Sequence, residues 1–91
     1  MILVEIYTTS YCPYCRWAKE LLEKKNVPFK EIDVTRDSAL RARMTQRANG
    51  RTTVPQIFIG AVHVGGCDDL YALEEDGKLD PLLAHEREKT A

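Results

Sequence analysis

Ninety-one residues suffice for one compact domain and are too few for a two-domain enzyme with an internal cleft. Thirteen basic residues against fourteen acidic ones give a net charge of −1, so no excess of positive charge recruits nucleic acid or an anionic membrane. Three cysteines are too few, and odd in number, for a disulfide-stapled secreted scaffold. No apolar run reaches the ~18 residues of a membrane span. The opening MILVEIY has no basic leader, and a cytoplasmic, thiol-reducing setting is therefore expected. In that setting two neighbouring cysteines point to metal binding or redox chemistry.

Ile2 to Tyr7 is apolar and β-branched apart from Glu5, the pattern of a strand covered on both faces. A polar turn, Thr8 to Ser10, leads to Tyr11-Cys12-Pro13-Tyr14-Cys15 and then to a run of good helix formers that stops at Asn26, ahead of Val27-Pro28. Pro13 suits the first helical position, where no hydrogen bond is lost. Phe29 to Val34 reads as a second strand, parallel to the first because a helix connects them. Asp37 or Ser38 caps a second helix running to about Ala48, with Leu40, Met44 and Ala48 inward, Arg41, Arg43 and Arg47 outward, and Gly50 ending it.

Pro55 to Ile59 is a strand, joined through Gly60-Ala61 to Val62-His63-Val64 as a hairpin. Gly65-Gly66 leads into a third helix from Cys67 through Glu75. A short last helix, Leu79 to about Glu86, is expected to fray into a polar tail from Arg87 to Ala91. The order β-α-β-α-β-β-α resembles the thioredoxin fold, an α/β domain with a four-stranded mixed sheet flanked by helices on both faces. All 91 residues fall within one such domain.

The Cys-x-x-Cys pair opens the first helix, so Cys12 meets unpaired backbone N–H groups, which favour a thiolate. The helix dipole contributes only about 0.3–1 kcal/mol, less than ionising a thiol at neutrality requires. Direct bonds from the amides of Tyr14 and Cys15 are expected to supply the rest. Cys15, Ala18 and Leu22 fall at i, i+3 and i+7, which turns Cys15 toward the sheet and leaves Cys12 accessible. Cys12 is thus the attacking sulfur and Cys15 the resolving one.

A lone Cys-x-x-Cys also serves as half of a zinc site, which Cys67 with His63 or His85 would have to complete at unusual spacing; no metal site is expected. Pro55 is either a strand-start proline or one in a cis bond that turns the Val54 backbone toward the thiol, free to pair with an extended peptide. Gly65-Gly66-Cys67-Asp68-Asp69 is either a turn and cap or a grip for an amino-acid head group, its amides on the carboxylate and Asp68 on the ammonium.

Cys12-Pro13-Tyr14-Cys15, Thr53-Val54-Pro55 and Gly65-Gly66-Cys67-Asp68-Asp69, in this order over about residues 3–83, resemble the glutaredoxins of the small bacterial dithiol type. The resemblance implies an enzyme, a glutathione-dependent oxidoreductase that reduces protein disulfides and glutathione mixed disulfides through Cys12 and Cys15. Glutathione would be a co-substrate and no cofactor would be permanently bound; the partners would be disulfide or glutathionylated proteins, and the chain a monomer. By the same resemblance Pro55 is cis, and glutathione lies in a groove bordered by Tyr14. There Thr53 and Val54 pair with its cysteinyl backbone, and Gly66, Cys67 and Asp68 hold its γ-glutamyl end.

Two other readings are a redoxin served by thioredoxin reductase and an iron–sulfur carrier sharing a cluster through Cys12 and glutathione. Tyr14 with Asp68 argues against the first, and Pro13 against the second. One departure stands out: Thr9 occupies the place where many glutaredoxins have a lysine for the glycyl carboxylate of glutathione, leaving Arg47 and Arg51 as candidates for that charge. Cys67 is read as packing, with a regulatory mixed disulfide requiring a lowered pKa. Trp17 and Tyr71 are read as core or groove wall.

Overall fold

The computed structural model describes residues 3–90, with side chains described as far as Glu86. Its elements are β1 (Val4–Thr8), α1 (Pro13–Lys24), β2 (Lys30–Asp33), α2 (Ser38–Arg47), β3 (Gln56–Ile59), β4 (Val62–Gly65), α3 (Cys67–Glu75) and α4 (Leu79–Thr90). The sheet runs β2-β1-β3-β4. β1 pairs parallel with β2, placing Tyr7 opposite Ile32, and antiparallel with β3, placing Ile6 opposite Ile57. β4 adds to β3 through the Gly60-Ala61 hairpin. This is the mixed four-stranded sheet expected of a thioredoxin-type domain.

Each face of the sheet has its own apolar cluster. One gathers Val4, Ile6, Ala18, Leu22, Ile57, Ile59, Leu70 and Leu79 beneath α1, α3 and α4; the other gathers Tyr7, Val34, Met44, Ala48 and Phe58 beneath α2. Helices therefore cover both faces, which is why β1 and β3 are buried at nearly every position. Leu22 is fully buried between α1 and the sheet. Leu22→Ala is expected to cost about 2–5 kcal/mol, read as a lower urea midpoint; an unchanged midpoint would show that α1 is not anchored there.

Local chemistry sets the ends. Asp37 caps α2 by accepting the Leu40 N–H at 3.0 Å. Asn26 and Asn49 take the left-handed conformation just past α1 and α2, which asparagine tolerates better than most residues. Lys25 ties the end of α1 to α3 and α4 through Glu74 at 2.8 Å and Asp80 at 3.2 Å.

One expectation needs correction and another needs completing. The last helix continues to Thr90 instead of fraying after Glu86, because the stretch beyond Pro81 has no helix breaker and is rich in good helix formers. Glu86 also secures it, accepting the Ala61 N–H at 3.2 Å from the β3–β4 turn. Arg47 is not simply turned outward. Its guanidinium lies 4.1 Å over the Phe58 ring, donates to Tyr7 Oη at 3.2 Å and pairs with Glu5 at 2.7 Å. Ile2 and Ala91 lie outside the described residues.

Candidate active site

The turn after β1 presents Cys12 as the N-cap of α1, with Pro13 opening the helix. The Ser10 N–H, held by Thr35 Oγ1 at 2.9 Å, fixes that turn against the segment after β2. The Cys15 N–H donates to Cys12 Sγ at 3.1 Å, so an amide at the helix start stabilises negative charge on that sulfur. The Tyr14 amide, expected to join it, makes no bond to the sulfur among the described residues; the cap is made by the Cys15 amide alone. Cys12 is partly exposed and Cys15 buried, 1% accessible, as the helical phase predicted. Burial, then the hydrogen bond with Cys12, pushes the Cys15 thiol up to about 12. One sulfur is thus reachable and the other is a protonated thiol behind it, and both are free thiols.

Cys12 Sγ also lies 3.8 Å from the carbonyl of Val54, and the Val54-Pro55 bond is cis. Across from it, Gly66 caps α3 and its N–H donates to Asp69 Oδ2 at 2.8 Å. Between these segments runs a groove of about 330 Å³ lined by Tyr14, Thr53, Val54, Pro55, Gly66, Cys67 and Asp68, with Arg51 and Asp69 beside them. Residues from three distant stretches of sequence are brought to one surface. The Asp68 side chain is exposed and makes no hydrogen bond or ion pair among the described residues.

Arg51 and Asp69 were not singled out together by sequence. They pair at 3.1 Å, and the Gly66 amide, then the Arg51 guanidinium against some burial, hold the Asp69 carboxyl below the usual carboxylate range. An acidic residue at the third position of a helix that opens on glycine is the signal that could have found Asp69. Of the two arginines considered for the missing charge, Arg47 is engaged with Glu5, whereas Arg51 lines the groove.

Cys67 is buried at 6% exposure; burial first, then the Asp68 charge, pushes its thiol up, which leaves it a packing residue. Trp17 is half exposed, edge-on to Tyr14 at 5.3 Å, and accepts a bond from Tyr71 Oη at 3.0 Å on its carbonyl; with Tyr71 it walls a second hollow of about 500 Å³. His63 stacks on Phe58 and meets Gln56 Oε1 at 2.7 Å. Among the described residues no three of His, Cys, Asp and Glu come together as a metal-binding group, and no helix is long and apolar enough to cross a membrane.

An accessible sulfur at a helix N-terminus, a buried partner thiol three residues on, and this sheet define a dithiol–disulfide exchange protein of the thioredoxin type. The glutaredoxin family model matches residues 4–64. Glutaredoxin 3 of Escherichia coli K12 is 59% identical over 83 residues, covering 91% of this chain and 99% of that protein. Among solved structures, glutaredoxin from Brucella melitensis is 61% identical with a TM-score of 0.80, covering 91% of this chain and 89% of that one. A buckwheat glutaredoxin–glutathione complex is 34% identical with a TM-score of 0.82, covering 90% and 76%. The chain belongs to the glutaredoxin family, and its activity is glutathione-dependent thiol–disulfide exchange.

Proposed function

We propose that Cys12 attacks, Cys15 resolves, and glutathione occupies the groove between Tyr14, the Thr53–Pro55 segment and the start of α3. Cys12 takes one sulfur of a protein disulfide or glutathionylated protein, forming a mixed disulfide and releasing the other sulfur as a thiolate. Either a glutathione thiolate or Cys15 then displaces the bound partner, and two glutathiones return the Cys12–Cys15 disulfide to the dithiol.

The observation that carries this reading is the convergence of Tyr14, Thr53, Val54, Pro55, Gly66, Cys67 and Asp68 on one groove beside an accessible sulfur. The Val54 backbone pairs with the cysteinyl unit of glutathione and brings its sulfur toward Cys12. The amides at the start of α3 take the γ-glutamyl carboxylate, and the free Asp68 carboxylate pairs with the ammonium. The solved buckwheat complex, a glutaredoxin with glutathione, supports the choice of ligand. The chain acts as a monomer in the cytoplasm, on disulfide or glutathionylated proteins.

Asp68→Ala tests the groove. The side chain is exposed, so the fold is expected to hold, while KM for glutathione rises about three- to tenfold, as for one ion pair in a partly solvated site. Steady-state kinetics with glutathione reductase supply the measurement; an unchanged KM would remove Asp68 from the site.

A further inference from the structure

We propose that Lys19, seated by Glu31 and Thr8, is a positioning residue for the resolving step, its ammonium steadying the negative charge that Cys15 carries as it attacks the mixed disulfide on Cys12. This rests on the reading of Cys15 as the resolving thiol.

Apart from the groove and the hollow at Trp17, Cys12 and Cys15 line a third cavity of about 530 Å³, shared with Thr9, Arg16, Lys19 and Glu31. Lys19 stands four residues after Cys15 on α1, one turn along the same face. Its position is fixed from the sheet: Nζ donates to Glu31 Oε2 at 3.0 Å, and the same oxygen accepts Thr8 Oγ1 at 2.7 Å, with Thr8 1% exposed. A buried hydroxyl on β1 thus holds a carboxylate on β2, which holds the lysine.

The step needs such a device. A buried thiol must lose its proton before it can attack, and burial opposes that loss. The titratable and charged groups around this cavity are Tyr11 and Cys12 just before α1, Arg16 in its first turn, Lys19 further along it and Glu31 from β2, with Asp33 of β2 in electrostatic reach of Lys19. Against burial and Cys12, the Thr9 amide and Lys19 are the influences that favour the ionised form of Cys15. In the step, Cys15 loses its proton to water and its sulfur bonds to Cys12 Sγ. The bond from Cys12 to the partner sulfur breaks, and that sulfur leaves with the electron pair as a thiolate. The dithiol is oxidised as the partner is reduced.

The reduced protein is mixed with 5,5′-dithiobis-2-nitrobenzoate, a symmetrical disulfide whose two halves leave as coloured thiolates, the first on attack by Cys12 and the second on attack by Cys15. Lys19→Met is expected to slow the second release at neutral pH about five- to tenfold and to move its pH–rate profile to higher pH, because loss of the cation leaves less Cys15 thiolate at a given pH. Lys19→Arg is expected to restore both. A second-phase profile that superimposes on the unaltered protein's, or a pH-independent loss that Lys19→Arg does not rescue, would overturn the proposal. Cys15→Ser separates this from the underlying assignment: release of two equivalents by that variant would remove Cys15 from the step whatever Lys19 does.

Discussion

Cys12→Ser is expected to stop turnover with every substrate, a fall of ~10³-fold or more to the rate of glutathione alone, because the bond-forming sulfur is gone and no second accessible thiol replaces it. Cys67 cannot substitute, since it is buried and its thiol is held protonated by burial and Asp68. Cys15→Ser is expected to behave differently. Reduction of glutathione mixed disulfides survives, because external glutathione can displace the partner from Cys12; reduction of protein disulfides is lost, because the second sulfur must come from within. The hydroxyl takes the place of a buried thiol with little change in volume, so the fold carries the substitution. The two variants are compared in parallel assays with a small mixed disulfide and a disulfide-bonded protein. Equal losses in both assays for both variants would contradict the division of labour between the sulfurs.

Gly65→Ala is expected to damage both stability and glutathione use. Gly65 ends β4 with φ +113°, a conformation that side chains rarely adopt. An added Cβ would also run into the Asp69 carboxylate and stand 2.6 Å from Arg51 Nη1. The backbone strain alone costs about 1–3 kcal/mol. Relieving the clash requires Asp69 and Arg51 to move, which breaks the pair at the end of the groove and loosens the Gly66 amide from its acceptor. A lower melting temperature together with a raised KM for glutathione is the expected signature. Wild-type values for both would mean that this corner adapts freely and that the Arg51–Asp69 pair shapes nothing.

What sequence could reveal follows from the range of the interactions. The helical phase of Cys15, Ala18 and Leu22 is local, and all three are buried as that phase requires. The residues of Thr53-Val54-Pro55 and Gly66-Cys67-Asp68 were legible as a groove through their family pattern, and they line one together. Arg47 is exposed, as expected, but its contacts were not legible, because its partners, Glu5 and Tyr7, lie about forty positions away on β1, and helical phase says nothing of a long side chain folding back over Phe58. Gln56 gave no signal either. It is a fully buried amide whose Nε2 donates to the Thr53 carbonyl at 3.0 Å while its Oε1 meets His63 Nε2, so it fastens the underside of the groove through contacts that no residue periodicity records. The pairing of Lys19 with Glu31 and Thr8 is hidden in the same way, since it forms only when β1, β2 and α1 have assembled.

The margin of the sheet at β2 reads Lys30-Glu31-Ile32-Asp33, three charges in four residues and largely exposed. An open strand of that kind is a poor template for another chain, because a neighbour adding there must strip water from charged groups at successive positions. Molecules that collide sulfur-first many times in a catalytic lifetime can therefore separate again instead of zipping together edge to edge.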